Sequence, residues 1–221
     1  MEATIPYPGW PISTTLPAAN LVLDQRPPAT KLFFDMEFTG LHQRTTLVSL
    51  GIVSEDGQKF YAESMSYDRS QVDGWIYTNV IENMWVYKGM PTPPGIVYVR
   101  GKQSVIKLAL SRWLANFEAV EMLGDTLAYD WVLFCELFGG AQHIPANVFY
   151  IPFDLATKFR EYGIDPDVDR IAFAGRQEEG RQKHNALYDA ITIKACHDRL
   201  SLFAPKVSYS HSSNILIGRP A

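Results

Sequence analysis

Asp35 and Glu37 stand two residues apart within Leu32-Phe33-Phe34-Asp35-Met36-Glu37-Phe38-Thr39-Gly40-Leu41, an apolar and aromatic run closed by Thr39-Gly40. Such a run reads as a buried strand ending in a turn. Alternate side chains of a strand share a face, so the two carboxylates point together while Phe34 and Met36 point the other way. Two ionised acids side by side repel and desolvate each other, and the run holds no basic residue to offset them. Hard divalent cations such as Mg²⁺ resolve that conflict through carboxylate oxygens. The alternative is a strand end whose acids reach solvent or pair with a distant arginine.

Further residues fit the same chemistry. Asp130 opens a helical segment that follows the short apolar run Val120–Leu123 and Gly124, where a short side chain can reach back over a sheet edge. Asp125, at the end of that same run, is the competing candidate, and Asp130 is preferred. Asp189 lies between Ala186, Leu187, Ala190 and Ile191 in a helical pattern, where a carboxylate needs a partner or a metal. The alternative is an acid of the first helical turn, favoured by the helix dipole. His184 precedes Asp189 by five residues. Were both helical they would diverge by about 140°, so His184 meets the acids only if it hangs from the loop before the helix. A histidine there titrates near neutrality, as a general base requires, whereas without the acids it would read as an ordinary surface histidine. Four carboxylates and one base are the equipment of two-metal phosphodiester hydrolysis.

The elements that must position these residues follow from pattern. Leu47–Ser54 (LVSLGIVS) is a buried strand, Glu55–Gln58 a tight turn, and Lys59–Ser64 a third strand returning antiparallel. Residues 68–84 are helical in part, and Met90–Gly95 (MPTPPG) breaks regular structure. Ser104–Phe117 is an amphipathic helix, Tyr129–Phe138 a largely buried one, Val148–Ile151 a strand and Leu155–Tyr162 a helix. Gly175–Lys183 (GRQEEGRQK) is polar with two glycines and reads as a mobile loop, after which a long helix runs to about Leu202. The expected fold is α/β: a mixed sheet of five or more strands flanked by helices, its first three strands antiparallel.

The 221 residues suit one catalytic domain over 31–204, preceded by a Pro-rich extended arm (1–30) and followed by a tail (205–221). The net charge of −4 argues against gripping long nucleic acid by its phosphates, but two divalent cations would add +4 locally. Cys135 and Cys196 are too few for a zinc motif or disulfide framework. Prolines interrupt every apolar run before residue 31, Arg26 is the one basic residue there, and no run reaches transmembrane length. These features predict a cytoplasmic protein with no membrane contact. Trp75, Tyr77, Trp85 and Tyr87 crowd one segment, suited either to a homodimer interface or to core beneath the MPTPPG loop. Trp131 beside Asp130 is positioned to stack on a base, or to fill the core.

Asp35-Met36-Glu37-Phe38-Thr39-Gly40-Leu41, then Asp130, then His184-Asn185-Ala186-Leu187-Tyr188-Asp189 resembles the DEDDh family of 3′–5′ exonucleases on the ribonuclease H-like fold. The resemblance runs from about Lys31 to Leu202. Leu47–Ser64 and Ala128–Gly139 are most similar to the polyadenylate-specific exoribonuclease AS group, and DMEFTGL to the corresponding tract of oligoribonucleases. The arm and tail have no counterpart. The resemblance implies that Asp35, Glu37, Asp130 and Asp189 hold two Mg²⁺ or Mn²⁺ ions and that His184 deprotonates the attacking water. It also implies contacts to the 3′-terminal nucleotide from Met36, Phe38, Thr39 and Leu41, with Leu41 wedging against the terminal bases. The expected substrate is the 3′ end of single-stranded nucleic acid, RNA rather than DNA, cleaved to nucleoside 5′-monophosphates. Relatives are commonly homodimers. The competing expectations are a DNA exonuclease of the same family and a nucleic-acid-binding module without catalysis.

Overall fold

The computed structural model describes residues 28–89, 91–177 and 183–203. Most of the expected arm, residue 204, the whole expected tail (205–221) and residues 178–182 of the expected mobile loop lie outside the described residues.

A six-stranded mixed sheet forms the centre. β1 (Thr30–Phe38) pairs antiparallel with β2 (Leu47–Ser54), which pairs antiparallel with β3 (Lys59–Ser64). Past two short helices, α1 (Gly74–Asn79) and α2 (Trp85–Lys88), comes β4 (Ile96–Gly101), parallel to β3 at one edge of the sheet. After α3 (Gln103–Leu114), β5 (Val120–Gly124) runs parallel to β1 on its other side. α4 (Asp130–Phe138) follows, then the two-residue strand β6 (Phe153–Asp154), parallel to β5. Three helices close the fold: α5 (Leu155–Glu161), α6 (Arg170–Ala174) and α7 (Ala186–Leu200). The strand order is β4-β3-β2-β1-β5-β6.

β1 and β2 lie in the middle of that order, and all eight residues of β2 are buried, as a continuous apolar run at the centre of a sheet with covered faces requires. The pleat of β1 splits the core in two. Leu32, Phe34 and Met36 face α3 and α4, packing with Ile106, Leu110, Trp113 and Phe134. Phe33 faces the opposite side, against Leu155, Phe159, Ala190 and Ile193 of α5 and α7. Asp35 and Glu37 continue the Phe33 face by alternation, which aims them towards α7.

A glycine sets how closely α7 approaches. Gly51 of β2 is the register partner of Asp35. A Cβ at Gly51 would lie 2.3 Å from the Ala186 carbonyl and the Leu187 Cα, so the first turn of α7 rests directly on the β2 backbone.

The structure differs from the sequence expectations in α6, where no element was expected, and in three further features. β4 occupies 96–101, where no element was expected. The strand expected over Val148–Ile151 is reduced to a single bridge between Val148 and Val120, and the chain then turns outward, leaving Tyr150 exposed, before β6 begins at Phe153. The aromatic segment divides: Trp85 is buried against Tyr61 and Tyr98, while Trp75, Tyr77 and Tyr87 are exposed. Both cysteines are buried and unpaired. Among the described residues, no helix is long and apolar enough to cross a membrane.

Candidate active site

Three elements far apart in sequence converge on one cleft of about 650 Å³. β1 contributes Asp35 and Glu37, the start of α4 contributes Asp130, and the first turn of α7 contributes Asp189, with His184 just before that helix. All five residues line the cleft.

Each is placed by a local cause. The Asp130 carboxylate reaches back to the sheet, where its Oδ1 accepts from the Met36 N–H at 2.9 Å. That bond fixes Asp130 between Asp35 and Glu37, on the backbone unit that separates them. Asp125, the competing candidate, lines the same cleft but is paired: Arg170 Nε donates to its Oδ2 at 2.6 Å and Arg170 Nη2 to its Oδ1 at 3.0 Å. Asp189 accepts from the His184 N–H at 2.9 Å through Oδ2. Asn185 caps α7, its side chain accepting from the Tyr188 N–H at 3.2 Å. His184 itself sits at φ +63°, in the left-handed region, and Thr126, also on the cleft wall, at φ +56°. Such backbone in residues bearing a Cβ clusters at functional sites. Nδ1 of His184 lies 3.9 Å from Glu37 Oε1, and its ring meets the exposed indole of Trp75 edge-on at 5.1 Å.

The electrostatics are those of a site built for positive charge. Burial, and then the neighbouring charges of Asp189, Glu37 and Asp130, push the Asp35 carboxyl well above its usual range. Burial, Asp189 and Asp130 do the same to Glu37. Burial raises Asp130 to about 6 against the opposing Met36 hydrogen bond, and Asp189 to about 7 against the hydrogen bond from His184. Among the described residues, none of these four acids has a lysine or arginine ion-pair partner. Ligand atoms of Glu37, His184 and Asp189 all lie within 4.8 Å of one another. Clustered, unpaired, mutually repelling oxygen donors fit hard divalent cations.

The expected substrate contacts are distributed unevenly. Leu41 stands at the cleft rim, 77% exposed, and Phe38 lines the cleft with its ring tilted against Tyr129. The Met36 side chain is buried in the core, so its N–H, not its thioether, faces the site. Thr39 is buried and organises the loop instead: its hydroxyl bonds Thr46 and Gln71 and accepts from the Thr46 N–H. Trp131 stacks on Phe134 and meets Phe34 edge-on, packed against the core and absent from the cleft wall. Its ring is committed to core contacts because Trp131 lies one helical position past Asp130 and turns onto the sheet. Tyr129, which also lines the cleft, and Gly51 beneath it were not singled out from sequence. Tyr129 carried a signal, as the aromatic residue immediately before Asp130.

The mixed sheet with three leading antiparallel strands, and the carboxylates gathered from β1, α4 and α7, define a ribonuclease H-like nuclease fold. The sequence matches the family described as the Rv2179c-like 3'-5' exoribonuclease domain over residues 30–199, and the chain belongs to that family, within the DEDD-type exonucleases. Two relatives in Mycobacterium tuberculosis, "3'-5' exoribonuclease Rv2179c" of strain ATCC 25618 / H37Rv and "3'-5' exoribonuclease MT2234.1" of strain CDC 1551 / Oshkosh, are each 30% identical over 120 residues. The matched stretch covers 53% of this chain and 67% of each relative. Among solved structures, the Neurospora crassa Pan2 catalytic unit, comprising protease and nuclease domains, aligns with a TM-score of 0.41 at 15% identity. That alignment covers 81% of this chain and 28% of the Pan2 chain.

Proposed function

We propose that this chain is a metal-dependent 3′–5′ exoribonuclease of the DEDDh type, releasing nucleoside 5′-monophosphates from single-stranded RNA 3′ ends. The observation that carries the reading is the convergence on a single cleft of one histidine and four carboxylates, two buried (Glu37, Asp130) and two half-buried (Asp35, Asp189), none ion-paired with a lysine or arginine among the described residues. Family membership supports the activity; Leu47–Ser64 and Ala128–Gly139 favour kinship with the exoribonuclease AS group, and the DMEFTGL tract with the oligoribonucleases.

Asp35, Glu37, Asp130 and Asp189 would hold two Mg²⁺ or Mn²⁺ ions. When bound, such ions supply Lewis-acid stabilisation of charge on a scissile phosphodiester. The chain's own residues do the rest. His184, kept neutral by burial and by Lys183, takes the proton of the attacking water on its imidazole. Phe38, braced by Tyr129, and the exposed Leu41 flank the terminal nucleotide. The Met36 N–H holds Asp130 in register with the β1 acids. The exposed aromatics Trp75, Tyr77 and Tyr87 form the contact surface of a homodimer.

The test is a product ladder from 5′-labelled RNA and DNA oligomers in Mg²⁺, Mn²⁺ and EDTA. Stepwise shortening of RNA in either metal, abolished by EDTA, is the expected result. Preferential shortening of DNA replaces the substrate assignment with deoxyribonucleotide ends, and binding without shortening overturns the enzymatic reading.

A further inference from the structure

The turn that carries His184 is tied down far more firmly than its polar sequence suggests, and the ties converge on a residue outside the cleft. Asn83 ends the short helical turn Ile81–Asn83 and is buried. Its side-chain Nδ2 donates to the Lys183 carbonyl at 2.9 Å and to the Asn79 carbonyl at 2.5 Å. Its own carbonyl accepts from Asn185 Nδ2 at 3.1 Å. Lys183 and Asn185 are the two neighbours of His184, so a single residue, about a hundred positions away in the chain, holds both flanks of the histidine. Asn185 is secured further by a 3.1 Å hydrogen bond to the hydroxyl of the fully buried Tyr61.

The peptide unit between Lys183 and His184 is therefore gripped at both ends. Its carbonyl accepts from Asn83, and its N–H donates to Asp189 Oδ2 at 2.9 Å. Orienting that plane sets the left-handed φ of +63° at His184, a conformation that residues bearing a Cβ keep only when their surroundings impose it. With the plane fixed, the imidazole is directed to Glu37 at 3.9 Å and into the cleft. Asp189 alone cannot do this, since it holds only the N–H side of the plane. A carboxamide suits the other side because its two N–H groups serve two carbonyls at once, whereas an aspartate there would supply no donor.

We propose that Asn83 is a positioning residue for His184, acting through the Lys183–His184 peptide and never touching the substrate. The inference rests on the reading of His184 as the general base. It extends that reading to the segment between β3 and β4, whose Trp75 also meets the His184 ring.

A double-mutant cycle in the full-length protein, with saturating Mg²⁺ and a single-stranded RNA oligomer, separates positioning from a merely structural contribution. Asn83→Ala is measured in the wild-type and in the His184→Ala background, with kcat and KM resolved and folding followed by circular dichroism. Should the alanine variant fail to fold, Asn83→Ser, which removes one donor and keeps the other, takes its place in the same cycle. Positioning predicts a kcat loss of roughly 10–100-fold with KM nearly unchanged in the wild-type background, and almost no further loss once His184 is gone. An equal loss in both backgrounds overturns the proposal while leaving His184 as the base. A His184→Ala enzyme with undiminished kcat overturns both readings together.

Discussion

Asp35 is the side chain on which the site turns, since burial and four neighbouring acids, Asp189, Glu37, Asp130 and Asp125, all oppose its charge. Asp35→Ala is expected to abolish turnover and, in the metal-free protein, to raise the thermal midpoint by removing repulsion. Calorimetry with and without EDTA, beside an activity assay, checks both outcomes. The same cluster sets how metal-free stability depends on pH. Asp130 is pushed up to about 6 and Asp189 to about 7, with Asp35 and Glu37 raised in the same sense. A carboxyl whose pKa is higher folded than unfolded favours the fold fully below the ordinary carboxylate pKa, and that contribution is lost as pH rises through the folded value. The metal-free protein is therefore expected to lose thermal stability between about pH 4 and 7. Saturating Mg²⁺ is expected to flatten the trend. His184 shifts the other way: burial and Lys183 hold it below the ordinary histidine range. The acidic limb of the pH–rate profile should then fall below about pH 6.5, and His184→Ala should lose roughly 10²–10⁴-fold in rate. That Asp35, Glu37, Asp130 and Asp189 would gather, with His184 beside them, was legible in the sequence because a carboxylate set within an apolar pattern demands something to offset its charge. Asn83 was not, nor was the loop-organising role of Thr39, because an amide or hydroxyl acting through hydrogen bonds far along the chain leaves no local pattern.

Elements were legible where burial imposes a period. β1, β2, β3, α3, α4, α5 and α7 all carry alternating, continuous or helical apolar patterns, and all form close to the expected bounds. β4 had a usable signal in Ile96-Val97-Tyr98-Val99, but it is a half-exposed edge strand that follows a proline-rich break. α6 spans five residues and buries none fully, so no period could announce it. The run Val148–Ile151 looked like a strand by composition, yet only Val148 finds a bridging partner. The docking of α7 on β2 escaped the sequence altogether, since Gly51 reads as an ordinary strand glycine until the helix is seen against it. Gly51→Ala places a Cβ 2.3 Å from backbone atoms of Ala186 and Leu187, which must move. The expected cost is about 1–3 kcal/mol of stability, with a larger proportional loss of activity because Asp189 and His184 move with the helix. Denaturant titration and turnover, measured on one preparation, report the two effects separately.

At the scale of the whole molecule, the sheet and its flanking helices act as a frame that holds like charges together until cations arrive. With a net charge of −4 the chain has little general attraction for RNA, so affinity is concentrated where cations would sit. The exposed aromatics proposed as a dimer surface include Trp75, whose ring lies 5.1 Å from that of His184. Light scattering at micromolar concentration is expected to report about twice the 24.9 kDa chain mass, and a value at the chain mass removes the dimer. The central claim is that the cluster on β1, α4 and α7 is a site for divalent metal. Calorimetric titration of the metal-free protein with Mn²⁺ at pH 6, repeated in buffers of different ionisation enthalpy, tests it most directly. Two ions bound per chain, with protons released as the raised carboxyls ionise and with binding reduced in Asp35→Asn, is the predicted result. Absence of binding at millimolar Mn²⁺, or unaltered stoichiometry and proton release in Asp35→Asn, would contradict it.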